Sequence, residues 1–343
     1  MRTCLITGGA GYIGSNLSRA LLERGYQVVA VDDFSSGSHT NIEDLTSREN
    51  FTVIEADFAD LDAYREPLGS ADCLFHLAGP VGVKNIVEAS PSSAALIEKH
   101  TAAVRQMLEA TGSGLRSAFL ASSSEIYGQA EDGKPANEVW KAIDEATQPD
   151  VGAADHPRWW YAHLKMNAEK VFHEFSYSTG RQICIGRLFN ITGRDHAAAS
   201  GMVVPAFVAQ ALAGEPLTIY GDGSQVRSFC SIHDAVEAMI HLVCEMDHVE
   251  TPEQIFNIGR RQPTTISGLA ELVNRKTGNG SGVTYRDYEE ALGTGDAGDI
   301  HYRVPDIKRL VKYGYHPRRT LEEIVDEMIA YRTGVKAVNG VSG

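Results

Sequence analysis

Residues Thr3 to Thr7 form a short apolar run that stops at Gly8 and Gly9, and beyond it Ile13, Leu17, Ala20, Leu21 and Leu22 recur at helical spacing. That pattern reads as strand, turn, helix. Gly25 closes the helix, and Gln27 to Val31 is a second apolar, β-branched run with Asp32 at its end, so the opening of the chain predicts one βαβ unit. Further runs follow the same alternation at Phe51 to Ala56, Cys73 to Leu77, Ser117 to Ala121 and Ile183 to Leu188. Helical stretches such as Ala94 to Ala110 and Tyr161 to Tyr177 separate them. Repeated alternation predicts an α/β protein with a parallel sheet covered on both faces.

After Leu188 the pattern breaks into short elements punctuated by GRDHAAASG, AGEPL and YGDGSQ, which predicts a smaller second lobe. Ile232 to Met246 reads as a helix, and Gln254 to Ile258 as a strand that returns to the first sheet. Thr265 to Arg275 and Thr320 to Tyr331 read as amphipathic helices of the smaller lobe. The two units therefore interleave, with residues 1–188 and about 230–260 in one, and about 189–229 and 261–333 in the other. The last residues, 334–343, carry few large apolar side chains and read as a flexible tail.

Composition narrows the function classes. With 343 residues, 43% of them hydrophobic, the chain can bury a substantial core, and the net charge of −14 argues against a polyanionic partner such as nucleic acid. Cys4, Cys73, Cys184, Cys230 and Cys244 are odd in number and never spaced CxxC, so they read as packed free thiols and no metal site is expected. The apolar run near the start is too short for a signal-peptide core or a spanning helix, which predicts a cytoplasmic protein without a membrane partner.

Gly8, Gly11 and Gly14 lie between the first strand and the helix opened by Tyr12 and Ile13. Missing β-carbons there permit a tight turn and let a pyrophosphate approach backbone N–H groups at the helix start, where the dipole favours negative charge. Asp32 stands where a carboxylate can accept hydrogen bonds from an adenosine ribose and would repel a 2′-phosphate. With no Arg beside it, the preferred dinucleotide is NAD. Asp57 and Phe58 lie where the adenine edge would rest, and Leu77, Ala78 and Gly79 suit close passage of the cofactor. His76 reads equally well as a core histidine.

Tyr161 and Lys165 are four residues apart on a predicted helix and share a face. A tyrosine of pKa ~10 is a poor base near neutrality, and a neighbouring ammonium together with a cationic nicotinamide would favour the phenolate. Upstream, Ser122, Ser123, Ser124 and Glu125 follow the fifth strand, at the carboxyl end of the sheet, where open α/β sheets bind ligands.

Taken together, TGGAGYIG, Asp32, SSSEIYG and YAHLK resemble the extended short-chain dehydrogenase/reductase family, which modifies nucleotide sugars. RLFN at Arg187 to Asn190, YGDGSQVRSF at Tyr220 to Phe229 and YRVPD at Tyr302 to Asp306 resemble further family segments in the same order. The resemblance implies a Rossmann-type doubly wound sheet with a smaller α/β substrate-binding lobe. It implies that Tyr161 is the acid/base, that Lys165 and Ser122 lie at the cofactor, and that Ser123 bonds the C4 oxygen of the sugar. Ser124 and Glu125 join the catalytic group. Asn190, Val204, Tyr220, Arg227 and Arg303 match substrate-binding positions, with guanidinium forks suited to a diphosphate.

Within that family a shared C4 oxidation leads to three outcomes: decarboxylation at C5, 4-epimerisation, or 4,6-dehydration. The Ser124-Glu125 pair and the PRWWY segment resemble UDP-glucuronate decarboxylases, where an arginine matched by Arg303 is a proposed proton donor. A 4-epimerase acting on UDP-glucuronate or UDP-glucose is the alternative, and a 4,6-dehydratase, with Glu125 as the base at C5, is third. A cofactor-sensing binding protein is the non-enzymatic reading, and the joint presence of Tyr161 and Lys165 argues against it. Two features depart from the family pattern: Lys99 and His100 stand where many relatives carry an asparagine, and the segment between Gly128 and Tyr161 is longer. The apolar stripe Leu164, Ala168, Val171, Phe172 and Phe175 lies on a helix whose counterpart in the resembled family pairs across a two-fold axis in a four-helix bundle, so the resemblance implies a homodimer, against the simpler possibility that the stripe packs on the sheet.

Overall fold

The structure is a computed structural model that describes residues 1–79, 93–130, 141–152, 159–246, 253–287 and 300–334. Its first half alternates strand and helix: β1 (Thr3–Thr7), α1 (Tyr12–Glu23), β2 (Gln27–Asp32), β3 (Phe51–Glu55), α2 (Arg65–Ser70), β4 (Cys73–His76), α3 (Ser93–Glu109), β5 (Ser117–Ser123), α4 (Trp160–Thr179) and β6 (Gln182–Leu188). These strands, with β11 (Ile255–Ile258), form a parallel seven-stranded sheet in the order β11-β6-β5-β4-β1-β2-β3. The order reverses beside β1, as in Rossmann-type doubly wound sheets.

Why the strands read as unbroken apolar runs is visible in their burial. Cys4 and Ile6 face one hydrophobic layer with Leu17 and Leu21 of α1, whereas Leu5 between them faces a second layer with Val104 and Leu108 of α3 and Phe172 of α4. Alternate side chains of a strand point to opposite faces, so a sheet covered on both sides needs apolar residues at every position. Strand β5 continues two residues past the expected end, which puts Ser122 and Ser123 on the strand, opposite Arg187 and Leu188 of β6.

Beyond β6 come β7 (Ile191–Thr192), α5 (Val203–Leu212), β8 (Leu217–Tyr220), β9 (Val226–Arg227), β10 (Cys230–Ser231) and α6 (Ile232–Ile240). After β11 follow β12 (Thr264–Thr265), α7 (Ile266–Thr277), β13 (Val283–Arg286), β14 (Tyr302–Arg303), α8 (Lys308–Lys312) and α9 (Leu321–Thr333). Helices α5, α7 and α9 enclose a separate core around Phe207, Val208, Leu269, Val273, Val325 and Met328. Strand β11 does return to the first sheet, beside β6.

Two expectations change. The helix expected over Ile232 to Met246 ends at Ile240 and passes into a π-helical turn, His241–Glu245, closed by Met246 N–H donating to the His241 carbonyl at 3.0 Å. His241 also meets the Tyr313 carbonyl through Nε2 at 2.7 Å, which ties the widened turn to the end of α8. The stripe Leu164, Ala168, Val171, Phe172 and Phe175 is buried within the single chain, most of it in the layer under α3 and α4, so it is not a free dimerisation surface. Pro157, Arg158 and residues 335–343 lie outside the described residues. No helix among the described residues is long and apolar enough to cross a membrane.

Candidate active site

The glycine turn after β1 is built so that side chains cannot enter. Gly8 has φ of +75°, and a β-carbon on Gly14 would sit 2.1 Å from the Gly8 carbonyl oxygen and 2.8 Å from the Gly9 Cα. The first turn of α1 therefore packs directly on the loop, leaving amides at a helix N-terminus as the phosphate-facing surface. Asp32 ends β2 with one carboxylate oxygen accepting from Ala10 N–H and the other from Phe34 N–H, each at 2.9 Å. Its position is thereby fixed by backbone, and none of Asp33, Phe34, Ser35 and Ser36 after it is cationic. Turn and carboxylate together fit NAD.

Other residues expected near the cofactor have mixed placements. Ile13 packs against the core beneath α1. The Tyr12 ring stacks on His196 with centroids 4.1 Å apart, so its side chain belongs to the loop after β7. Asp57 caps its own turn by accepting from Ala59 N–H at 2.9 Å. The Phe58 ring lies 5.0 Å from His76 and 5.4 Å from His100. His76 is a core histidine, Nδ1 2.7 Å from Thr7 Oγ1, and burial holds its pKa well below the usual value. Leu77, Ala78 and Gly79 carry the chain off β4, with Ala78 against Gly8. His100, at one of the positions that departs from the family pattern, is buried, and burial followed by the nearby Lys165 charge lowers its pKa to about 3.

Tyr161 and Lys165 sit one turn apart in α4, the ammonium 5.8 Å from the phenol ring centroid. Lys165 is 5% exposed and donates to the Ala121 carbonyl at 2.9 Å. Burial lowers its pKa to about 8, and Glu169 opposes that shift. Tyr161 is pushed up to about 12, first by burial and then by the charge of Glu125, while a bond with Ser123 acts the other way. Desolvation dominates the phenol here, and the Lys165 ammonium donates to the Ala121 carbonyl, while the expected lowering draws on that ammonium and a cationic nicotinamide together. Ser123 also accepts from Glu125 N–H at 3.1 Å, and Ser124 is buried at the head of the turn that follows.

Beneath these groups lies a polar network absent from the sequence reading. Ser122 donates to Glu169 at 2.6 Å, and Arg187 grips the same carboxylate with two bonds of 3.0 and 2.8 Å. The Arg187 guanidinium covers the Tyr127 ring at 4.8 Å, and the Tyr127 hydroxyl donates to Asn257 at 2.7 Å. One signal was available: Glu169 follows Lys165 by four residues on one helix face. The contacts to Arg187 and Asn257 had none, because they join a helix and a turn to strands elsewhere in the sequence.

The expected substrate residues divide. Glu125 and Arg303 form an ion pair, with Arg303 7% and Glu125 19% exposed at the side chain, and Nε and Nη2 of Arg303 are buried without a hydrogen-bond partner. In the β9–β14 ladder Arg303 stands directly opposite Arg227. Asn190 adopts φ of +41° and donates to the Ser228 carbonyl at 2.8 Å. Val204 is 1% exposed inside the α5 core, and Tyr220 is 42% exposed at the end of β8.

The chain is similar to known enzymes of nucleotide sugars. The chain is 33% identical over 332 residues, covering 96% of it and 97% of the relative, to a UDP-N-acetyl-alpha-D-glucosaminuronate decarboxylase of Bacillus cytotoxicus. It is 31% identical to UDP-glucuronic acid decarboxylase 1 of Xenopus tropicalis, across 95% of this chain and 71% of that one. Among solved structures it resembles the UDP-glucuronic acid 4-epimerase of Bacillus cereus with UDP-glucuronic acid and NAD, at a TM-score of 0.79, 24% identity and coverage of 97% and 99%. It also resembles the UDP-N-acetylglucosamine 4-epimerase of Methanobrevibacter ruminantium M1, at 0.80, 26% identity and coverage of 97% and 98%. Residues 4–259 match the family described as NAD dependent epimerase/dehydratase, and the chain, an NAD-dependent enzyme, belongs to that family.

Proposed function

We propose that the protein decarboxylates a UDP-linked uronic acid, either UDP-glucuronate or its 2-acetamido counterpart. The observation that carries this reading is the Glu125–Arg303 pair beside Ser123 and Tyr161: a charged pair at the sugar site suits a substrate that itself carries a carboxylate. Relatives at 33% and 31% identity are named for such decarboxylations.

Bound NAD supplies hydride acceptance and return at C4 of the sugar. Within the chain, Ser123 and Tyr161 take the C4 hydroxyl, Tyr161 receives its proton, and Lys165 holds the nicotinamide ribose. A ketone at C4 makes a C5 carboxylate a β-keto acid, from which carbon dioxide leaves with its electron pair delocalised toward the C4 oxygen. Glu125 adds like-charge repulsion against that carboxylate, relieved as carbon dioxide departs. Arg303 offers its two unpartnered N–H edges and places a proton donor at C5. Gly8, Gly11, Gly14 and Asp32 hold the pyrophosphate and ribose of the cofactor, and Arg227 with Asn190 holds the substrate diphosphate.

A 4-epimerase is the second reading, favoured by the likeness to the M. ruminantium enzyme. We further propose that residues 1–188 and about 230–260 form the cofactor domain and about 189–229 and 261–333 the sugar-nucleotide lobe. The family resemblance further supports a cytoplasmic homodimer in which α3 and α4 of each copy pair as a four-helix bundle. Sedimentation at one subunit mass refutes the dimer.

Incubation of the purified enzyme with NAD and, separately, UDP-glucuronate, UDP-N-acetylglucosaminuronate and UDP-glucose, followed by mass measurement, tests the reaction. Loss of carbon dioxide from a uronic acid is expected. Conversion without mass change assigns epimerisation, and loss of water from UDP-glucose assigns dehydration; either outcome overturns the decarboxylase.

A further inference from the structure

At the far end of the sheet from this site, three cysteines distant in sequence converge. Cys4 and Cys73 are the first paired residues of β1 and β4, and Cys244 lies in the π-helical turn that follows α6. Their sulfurs all lie within 4.8 Å of one another, Cys73 and Cys244 at 3.9 Å, and the residues are 0%, 1% and 5% exposed. We propose that this trio is a binding site for one thiophilic divalent cation of the zinc class.

The geometry supports this directly. With metal–sulfur bonds of about 2.3 Å, tetrahedral sulfurs stand about 3.8 Å apart. The Cys73–Cys244 separation already meets that value, and the other sulfurs need only a small closure. Thiolates select soft and borderline cations over calcium or magnesium.

Neighbouring carboxylates are already committed. Asp72 accepts from Thr3 N–H at 2.7 Å, and Glu245 lies 3.3 Å from His241 Nδ1 and 3.8 Å from Arg24. The fourth ligand is therefore water or an exogenous thiol. A surface hollow of about 370 Å³, lined by Arg2, Arg24, Tyr26 and Glu245, adjoins the turn that carries Cys244. Three thiolates around a divalent cation leave one net negative charge. Arg2, which donates to the Cys244 carbonyl at 3.0 Å, offsets it. The widened turn over His241–Glu245 is what brings Cys244 down onto the strand ends.

Titration of the reduced, chelator-stripped full chain with Cd²⁺ under anaerobic conditions, followed by sulfur-to-metal charge-transfer absorbance, tests the site. One equivalent is expected to bind, with a rise in Tm. Affinity falls at least tenfold in Cys73→Ser, whereas Cys184→Ser, a buried thiol outside the trio, titrates as the wild type does. Cys244→Ala, at the edge of the core, carries the same expectation if Cys73→Ser fails to fold. Absence of a charge-transfer band in the wild type, or equal titration of the trio variants, overturns the proposal and leaves the cysteines as packed thiols.

Discussion

Arg303 donates to Glu125 across 178 residues of sequence, bringing the short strand β14 to the turn that leaves β5. If both act on the sugar, either substitution alone removes the shared arrangement. Glu125→Gln and Arg303→Met should each lower turnover by about 10²- to 10⁴-fold while NAD binding persists. The double variant should lose much less than the product of the two effects, because coupled groups fail together. Multiplicative losses in steady-state kinetics would separate the two residues functionally.

Tyr161→Phe should retain NAD binding, measured by fluorescence titration, and lose nearly all turnover. In the cofactor-free chain the wild-type phenol is raised to about 12. Between the unfolded value of about 10 and that folded value, the unfolded chain has released this proton and the folded chain has not. Stability therefore falls as pH rises through the window. Tyr161→Phe should lack this fall in urea unfolding followed across alkaline pH.

Lys165 gives the opposite slope. Its pKa is lowered from 10.5 to about 8, so burying the charged form is a cost present below pH 8 and relieved as pH rises toward 10.5. Lys165→Met should stabilise the cofactor-free protein at neutral pH, by up to about 3 kcal/mol from this term, while abolishing turnover. A lower Tm for the variant at neutral pH would contradict the assignment.

The Glu169–Arg187 pair is 7% exposed on both sides. Removing one partner leaves a buried charge uncompensated, so Glu169→Leu should cost about 3–5 kcal/mol. Glu169→Leu combined with Arg187→Met should recover much of that loss. Urea denaturation of the single and double variants measures both. Because Ser122 also bonds Glu169, the single variant should reduce turnover even though neither charged residue touches the sugar.

Asp32→Asn keeps an oxygen for one backbone amide and loses the charge. NAD affinity should fall about 10- to 100-fold, as expected for about 1.5–3 kcal/mol of charged hydrogen bonding, while NADP binding should weaken far less. Equal losses for both cofactors would mean that the carboxylate only braces the loop.

The order of elements, the two-sided sheet, the glycine turn, Asp32, and the Tyr161–Lys165 pair were legible from the chain, because each rests on spacing within one element or between neighbours. Period-two and helical repeats encode which face is buried, and four-residue spacing encodes a shared helical face. Tertiary structure alone set Arg303 on Glu125, faced Arg303 with Arg227, and gathered Cys4, Cys73 and Cys244. It also turned the α4 stripe inward and set the burial that raises Tyr161. Those outcomes depend on desolvation and on contacts between strands remote in sequence, and neither quantity is carried by local spacing.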